Sequence, residues 1–228
     1  MKNMIIRFIV GIAGLSSCTP NNTEIISIIV DVTEFDANEI EFEKDGIGSP
    51  NDLWSGSIVR YSTITDVDYN EQIELKIDPA NELLSNKQNR EAELTLFKVD
   101  LQNLKHQDTL EYSGSSIWLP LINELSYLAQ DSTKPTTVYL ISDLMEHSSL
   151  INFYDKRIIK TLERDPERIK TEFQSKILEL KQISHLKLIV IHQPKNAKEN
   201  GVFKLILNGV YKPIMHDLGI EISVQAKF

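Results

Sequence analysis

The pattern of apolar and polar positions divides the chain into alternating strand and helix signals. Ile25-Ile26-Ser27-Ile28-Ile29-Val30 is a nearly continuous β-branched run that ends in Asp31, the pattern of a parallel strand buried on both faces. Val138-Tyr139-Leu140-Ile141, closed by Ser142-Asp143, and Leu186 to Ile191, closed by His192, behave alike. These three runs predict central strands. Ile73, Leu75 and Ile77 alternate with Glu74 and Lys76, and Ile220, Ile222 and Val224 alternate with Glu221 and Ser223, so these segments predict half-exposed strands nearer the sheet edges. Ile58 to Thr65 predicts a strand that pairs with the first of them. Between the strands run stripes spaced by three and four residues: Leu94, Phe97, Leu101, Leu104; Ile117, Leu121, Leu125, Leu128; Ile169, Phe173, Ile177, Leu180; and Phe203, Leu207, Val210, Ile214. Each predicts an amphipathic helix. Strands alternating with helices predict an α/β fold, a three-layer α/β/α sandwich with a mostly parallel central sheet and helices on both faces. Asp36 to Ser57 and Met145 to Pro166 read as polar, irregular loops at or near the carboxyl ends of the strands, where such sheets place their sites.

Composition narrows the function. The 228 residues are 41% hydrophobic, enough for one sizeable core, with no repeat or composition shift that marks a second folded unit. Lys and Arg number 24 against 33 Asp and Glu, a net charge of -9, and no window carries a basic stripe, which argues against nucleic acid as a partner. Gly-x-Gly-x-x-Gly and Walker motifs are absent, so nucleotide binding has no support. A single cysteine excludes an internal disulfide framework and a multi-cysteine metal centre.

That cysteine sits where the first eighteen residues give it a meaning. Lys2 and Arg7 precede the apolar run Phe8 to Leu15, the build of a secretory signal, and the run ends Leu15-Ser16-Ser17-Cys18. This ending resembles the bacterial lipobox, whose cysteine receives diacylglycerol before cleavage. The resemblance implies residues 1–17 as a lipoprotein signal peptide, residues 18–24 as a lipidated terminus and short tether, and residues 25–228 as the folded domain. Cleavage removes Lys2 and Arg7, leaving 22 basic and 33 acidic side chains, a charge of -11. The expectation is a protein held on the bacterial envelope by Cys18, with Thr19 after it pointing to the outer rather than the inner membrane.

Three polar groups fall at predicted strand ends and a helix start: Asp31 and Thr33, Ser113-Gly114-Ser115-Ser116, and Ser142-Asp143. Asp31-Val32-Thr33, Gly114-Ser115-Ser116-Ile117 with Leu121, and Ile141-Ser142-Asp143 resemble, in that order, the motifs of the von Willebrand factor A (vWA) domain. These motifs build the family's metal-ion-dependent adhesion site. The resemblance runs from Ile25 to the end, since the helix from Phe203, then Gly219 and an edge strand, also match the family's closing elements. It implies a Rossmann-like fold whose mostly parallel sheet has an antiparallel edge strand, and a site at Asp31, Thr33, Ser115 and Asp143. There Mg²⁺, or Mn²⁺ or Ca²⁺ in its place, leaves one position open for an acidic side chain of a protein partner. Hard oxygens suit Mg²⁺, and the ion would let so acidic a domain capture a carboxylate.

Phe35 stands where the family has its second serine. One hydroxyl ligand is thereby lost, and Glu34 and Asp36 flank the gap as substitute carboxylates or partner contacts. Two outcomes stay open: a working cation site, or a degenerate pocket in which Asp31 and Asp143 are structural acids beside helix N-termini. No Gly-x-Ser-x-Gly elbow is present, His147 reads as a solvated rim residue, and His106, His185, His192 and His216 have no metal-ligand spacing. The expectation is a non-enzymatic, partner-binding envelope module. Its alternative is a metal-free structural component of an envelope assembly. Trp118 reads as core, while Trp54, in a Gly/Ser/Asp-rich loop, is a candidate interface anchor.

Overall fold

The computed structural model describes residues 23–32, 47–65, 72–104, 114–177 and 183–226. Six strands form one sheet: β1 (Thr23–Asp31), β2 (Gly56–Ile64), β3 (Gln72–Ile77), β4 (Thr136–Ile141), β5 (Leu186–Ile191) and β6 (Glu221–Gln225). Their order is β3-β2-β1-β4-β5-β6. Only the β2–β3 pair is antiparallel, with Ser57 opposite Ile77; the other neighbours run parallel. The antiparallel edge strand is therefore β3, and the second edge, β6, is parallel.

The two-residue alternation of strand side chains separates two cores. Ile25 and Ile29, Val138 and Leu140, and Leu188 and Val190 point to one face, where they meet α2 (Trp118–Leu128), α4 (Pro166–Gln174), α5 (Ala197–Ile206) and α6 (Lys212–Asp217). Ile26, Ile28 and Val30, with Val59 and Tyr61, point to the other, where Phe97, Leu101 and Leu104 of and beside α1 (Lys87–Asn103) cover them. The result is the three-layer α/β/α sandwich. Each predicted stripe lies against the sheet through its described members. The stripe Phe203, Leu207, Val210, Ile214 stays buried through a π-helical turn, Leu207–Tyr211, that joins α5 to α6. Beyond α6 the chain reverses at Gly219, whose φ of 76° is the left-handed conformation a side chain disfavours.

One loop expectation is corrected. Within Met145 to Pro166, residues Lys156–Arg164 form a helix, α3, capped by the Asp155 side chain on the Arg157 N–H. Leu162 is its one buried residue, so the apolar stripe is too short to stand out among Lys, Arg and Glu. Pro166 opens the next helix, where its missing N–H costs nothing.

In the strand order β2 lies on one side of β1 and β4, β5 and β6 on the other. The order thus reverses between β1 and β4, and in such sheets the crevice beyond the carboxyl ends of these two neighbours is the usual site. No helix among the described residues is long and apolar enough to cross a membrane.

Candidate functional site

At this crevice β1 delivers Asp31, which is wholly buried. A buried carboxylate needs donors, and two serines supply them. Ser115 Oγ, from the loop before α2, donates to Asp31 Oδ2 at 2.9 Å, and Ser142 Oγ, just past β4, donates to the same oxygen at 3.0 Å. Ser142 Oγ also accepts the Leu144 N–H at 2.9 Å, and Asp143 Oδ1 accepts the Met145 N–H at 2.8 Å. Three segments remote in sequence are thus tied at one point.

The turn that makes these bonds is held in an uncommon conformation. Leu144 has a φ of 63°, left-handed backbone that a non-glycine residue adopts at a cost, and its side chain is fully buried. Backbone pairing secures the turn: Ser115 and His147 exchange N–H···O bonds of 3.1 and 2.9 Å, and Ser116 N–H donates to Thr65 O at 2.8 Å. Helix α2 begins at Ile117 without a local side-chain cap. Its cap comes from 29 residues away: Glu146 Oε2 accepts the N–H groups of Ile117 at 3.0 Å and Trp118 at 2.8 Å. A carboxylate there satisfies two orphan donors and meets the positive end of the helix dipole.

Tyr211 lies behind this group, edge-on to Trp118 at 5.2 Å between ring centres. Burial pushes its hydroxyl well above the ordinary tyrosine range, and the negative charges of Glu146, Asp31 and Asp143 push the same way. The Tyr211 hydroxyl has no hydrogen-bond partner among the described residues.

Of the residues expected from sequence, Asp31 and Ser115 are joined directly, and Asp143 stands next in the chain to Ser142, which bonds Asp31. Thr33, Glu34, Phe35, Asp36 and Cys18 lie outside the described residues. Trp54 does not join the others. Gly56, two residues on, pairs with Thr23 at the start of β1, so Trp54 lies at the opposite end of the sheet from Asp31. The Asp36 to Ser57 stretch connects the two ends, and its sequence gives no sign of where it leaves the rim. His147 is exposed and meets Tyr154 edge-on at 5.7 Å, while His192 stacks on Phe203 at 4.3 Å. Trp118 is core, donating Nε1–H to Phe173 O at 3.0 Å.

Sequence reasoning did not single out Glu146 or Tyr211. The sequence carries no signal for Glu146, since Ser116 directly before Ile117 reads as an ordinary cap that the structure does not use.

The donor set is chemically suited to a hard cation. It consists of hydroxyl and carboxylate oxygens, and Ser115 Oγ, having given its hydrogen to Asp31, still offers lone pairs. No group of three or more His, Cys, Asp or Glu is gathered closely enough to hold a metal by itself among the described residues. Any ion here would depend on the hydroxyls.

No family model matches the chain, and no curated protein matches it. Among solved structures it is similar to the human COPII-coat protein Sec24c, at 11% identity and a TM-score of 0.38, over 91% of this chain and 30% of that one. The chain thus spans less than a third of that protein, and a likeness this loose carries neither a family nor an activity.

Proposed function

We propose that the chain is a vWA-like binding module on the bacterial envelope, anchored by a lipidated Cys18, and that the crevice at Asp31, Ser115, Ser142 and Asp143 is where it meets a protein partner. The observation that carries this reading is the convergence of Asp31, Ser115 and Ser142, from three separate segments, with Asp143 next in the chain to Ser142, at the point where the strand order reverses. The strand order with its antiparallel edge at β3, and the placement of the three motifs, support the vWA resemblance. The non-catalytic role rests on the sequence, which carries no Gly-x-Ser-x-Gly elbow.

Where a divalent cation binds, the Ser115 hydroxyl and the Asp143 carboxylate would hold it, with Asp31 orienting the hydroxyls. Such an ion would supply a positive centre for an acidic side chain of the partner. A second reading is favoured by the saturation of Asp31 Oδ2 with two donors and by Glu146 capping α2: the same network holds the rim without metal, and the module binds through its loops.

Thermal unfolding of the mature chain with Mg²⁺, Mn²⁺, Ca²⁺ or EDTA, beside Asp31→Ala, separates the two. A cation at a hundred times its dissociation constant adds about 2.7 kcal/mol, about 5–11 °C for a chain of this size. A shift of that order, lost in the variant, supports the cation site. The absence of any shift removes the ion and leaves the metal-free module.

A further inference from the structure

Among the described residues, the apolar surface left most exposed lies at the opposite end of the sheet from Asp31. Leu83 and Leu84 are 92% and 86% exposed, the two highest values among the large apolar side chains of the described residues. They sit on the turn between β3 and α1, and that turn is built rather than loose. Asn81 accepts three bonds, Leu83 N–H on Oδ1 at 2.9 Å and the Leu84 and Ser85 N–H groups on its carbonyl at 3.1 and 2.8 Å, while Asn86 caps α1. A turn fixed in this way presents two leucines to the outside at a continuing cost in hydration.

The position of this turn identifies what covers it. Because β3 runs antiparallel to β2, its last residue, Ile77, lies opposite Ser57 at the start of β2, and β2 starts beside Thr23 at the start of β1. The contact is close: a side chain at Gly56 would meet Pro79 on one side and Thr23 on the other, each at 2.8 Å. Ala80 N–H donates to Trp54 O at 2.9 Å, which brings a half-buried tryptophan to the same end. The leucine turn therefore leaves the domain where β1 enters it. Only four residues, Thr19 to Asn22, separate Thr23 from Cys18, a reach of at most about 17 Å.

We propose that this pole is a membrane-contact surface, with Leu83 and Leu84 inserted into the interfacial layer of the bilayer that holds Cys18 and Trp54 at headgroup level. The proposal rests on the lipoprotein reading above. Tryptophan suits that depth because its ring is amphipathic. The contact is apolar rather than electrostatic, since the nearby lysines face acids of their own: Lys76 with Asp78 at 2.7 Å, Lys134 with Asp131, and Lys87 with Glu91 at 3.8 Å. It is therefore independent of anionic lipid.

The test is amide hydrogen exchange of the lipidated chain on protein-free phosphatidylcholine vesicles, compared with the Cys18→Ser chain in solution and repeated with anionic lipid added. Slower exchange at 80–86 and 51–55, unchanged exchange at 147–155 on the opposite pole, and no dependence on anionic lipid are expected. The double variant Leu83→Ser with Leu84→Ser, at positions too exposed to affect folding, loses the protection at 80–86. Equal exchange on and off vesicles overturns the proposal, as does protection at 147–155 instead. Protection that survives in the double variant also overturns it, because the tether alone would then be the cause. Mass spectrometry for diacylglycerol on Cys18 judges the lipoprotein reading separately. If that modification is missing, coupling the Cys18 thiol to a maleimide lipid still tests whether the surface meets lipid.

Discussion

Removing the Glu146 carboxylate is the sharpest test of how the crevice is held. Glu146→Ala strips the acceptor from the Ile117 and Trp118 N–H groups, and both residues are completely buried, so water does not replace it. Each buried donor left without a partner costs about 1–3 kcal/mol, and loss of a negative charge at the helix start adds about 0.3–1 kcal/mol. The sum centres on about 5 kcal/mol. For a chain of this size 1 kcal/mol lowers Tm by about 2–4 °C, so Glu146→Ala should fall by about 10–20 °C in a circular dichroism melt at neutral pH. Glu146→Gln keeps a carbonyl oxygen in reach of both donors and loses only the charge, a cost of about 1–2 kcal/mol. The order wild type, Gln, Ala with a wide second step is the expected result. Equal losses for Gln and Ala, or an Ala variant within about 3 °C of wild type, would refute the capping role.

Tyr211→Phe removes a buried hydroxyl with no partner among the described residues, so its Tm should hold or rise; a clear fall would reveal a bond to that oxygen. Arg60 reaches Glu124 with two bonds, of 2.8 and 3.1 Å, and Glu74 with one of 2.6 Å. Arg60→Leu strands buried Glu124 at a cost of about 3–5 kcal/mol, whereas the double variant with Glu124→Leu should recover most of it in urea unfolding. Burial pushes the Tyr61 hydroxyl up to about 12 and that of Tyr211 well above its ordinary range. The unfolded chain releases these protons near pH 10 while the folded chain keeps them, so stability should fall as pH rises from about 10 to 12. Tyrosinate absorbance that appears for these residues before unfolding would contradict this.

The sheet was legible because its interior strands must be apolar on both faces. Ile25 to Val30 and Leu186 to Ile191 admit no other reading of similar length, and the alternation at Ile73–Ile77 marks an edge as plainly. The serines and aspartates at strand ends were legible for the same reason, since a strand of known direction places its last residue. Two kinds of information were not. Glu146 acts on a helix that starts 29 residues earlier, through a left-handed turn at Leu144 that no local preference announces. Trp54 sits in a connection that runs from one end of the sheet to the other, and its polar composition says nothing about which end it has reached.

That second point changes how the molecule works as a whole. β1 is nine residues long, so its ends stand about 26 Å apart. Asp31 closes one end; Thr23, with the leucine turn and Trp54, occupies the other. With Cys18 in a bilayer, a tether of four residues is too short to let the domain turn over. The crevice would then point away from the membrane, toward whatever the envelope presents, whether or not it holds an ion. A free, long-tethered domain would meet partners in every orientation. A domain fixed by lipid, leucines and a short tether would offer one face only, and a partner could engage Asp143 and the His147 turn without competing with the bilayer for surface.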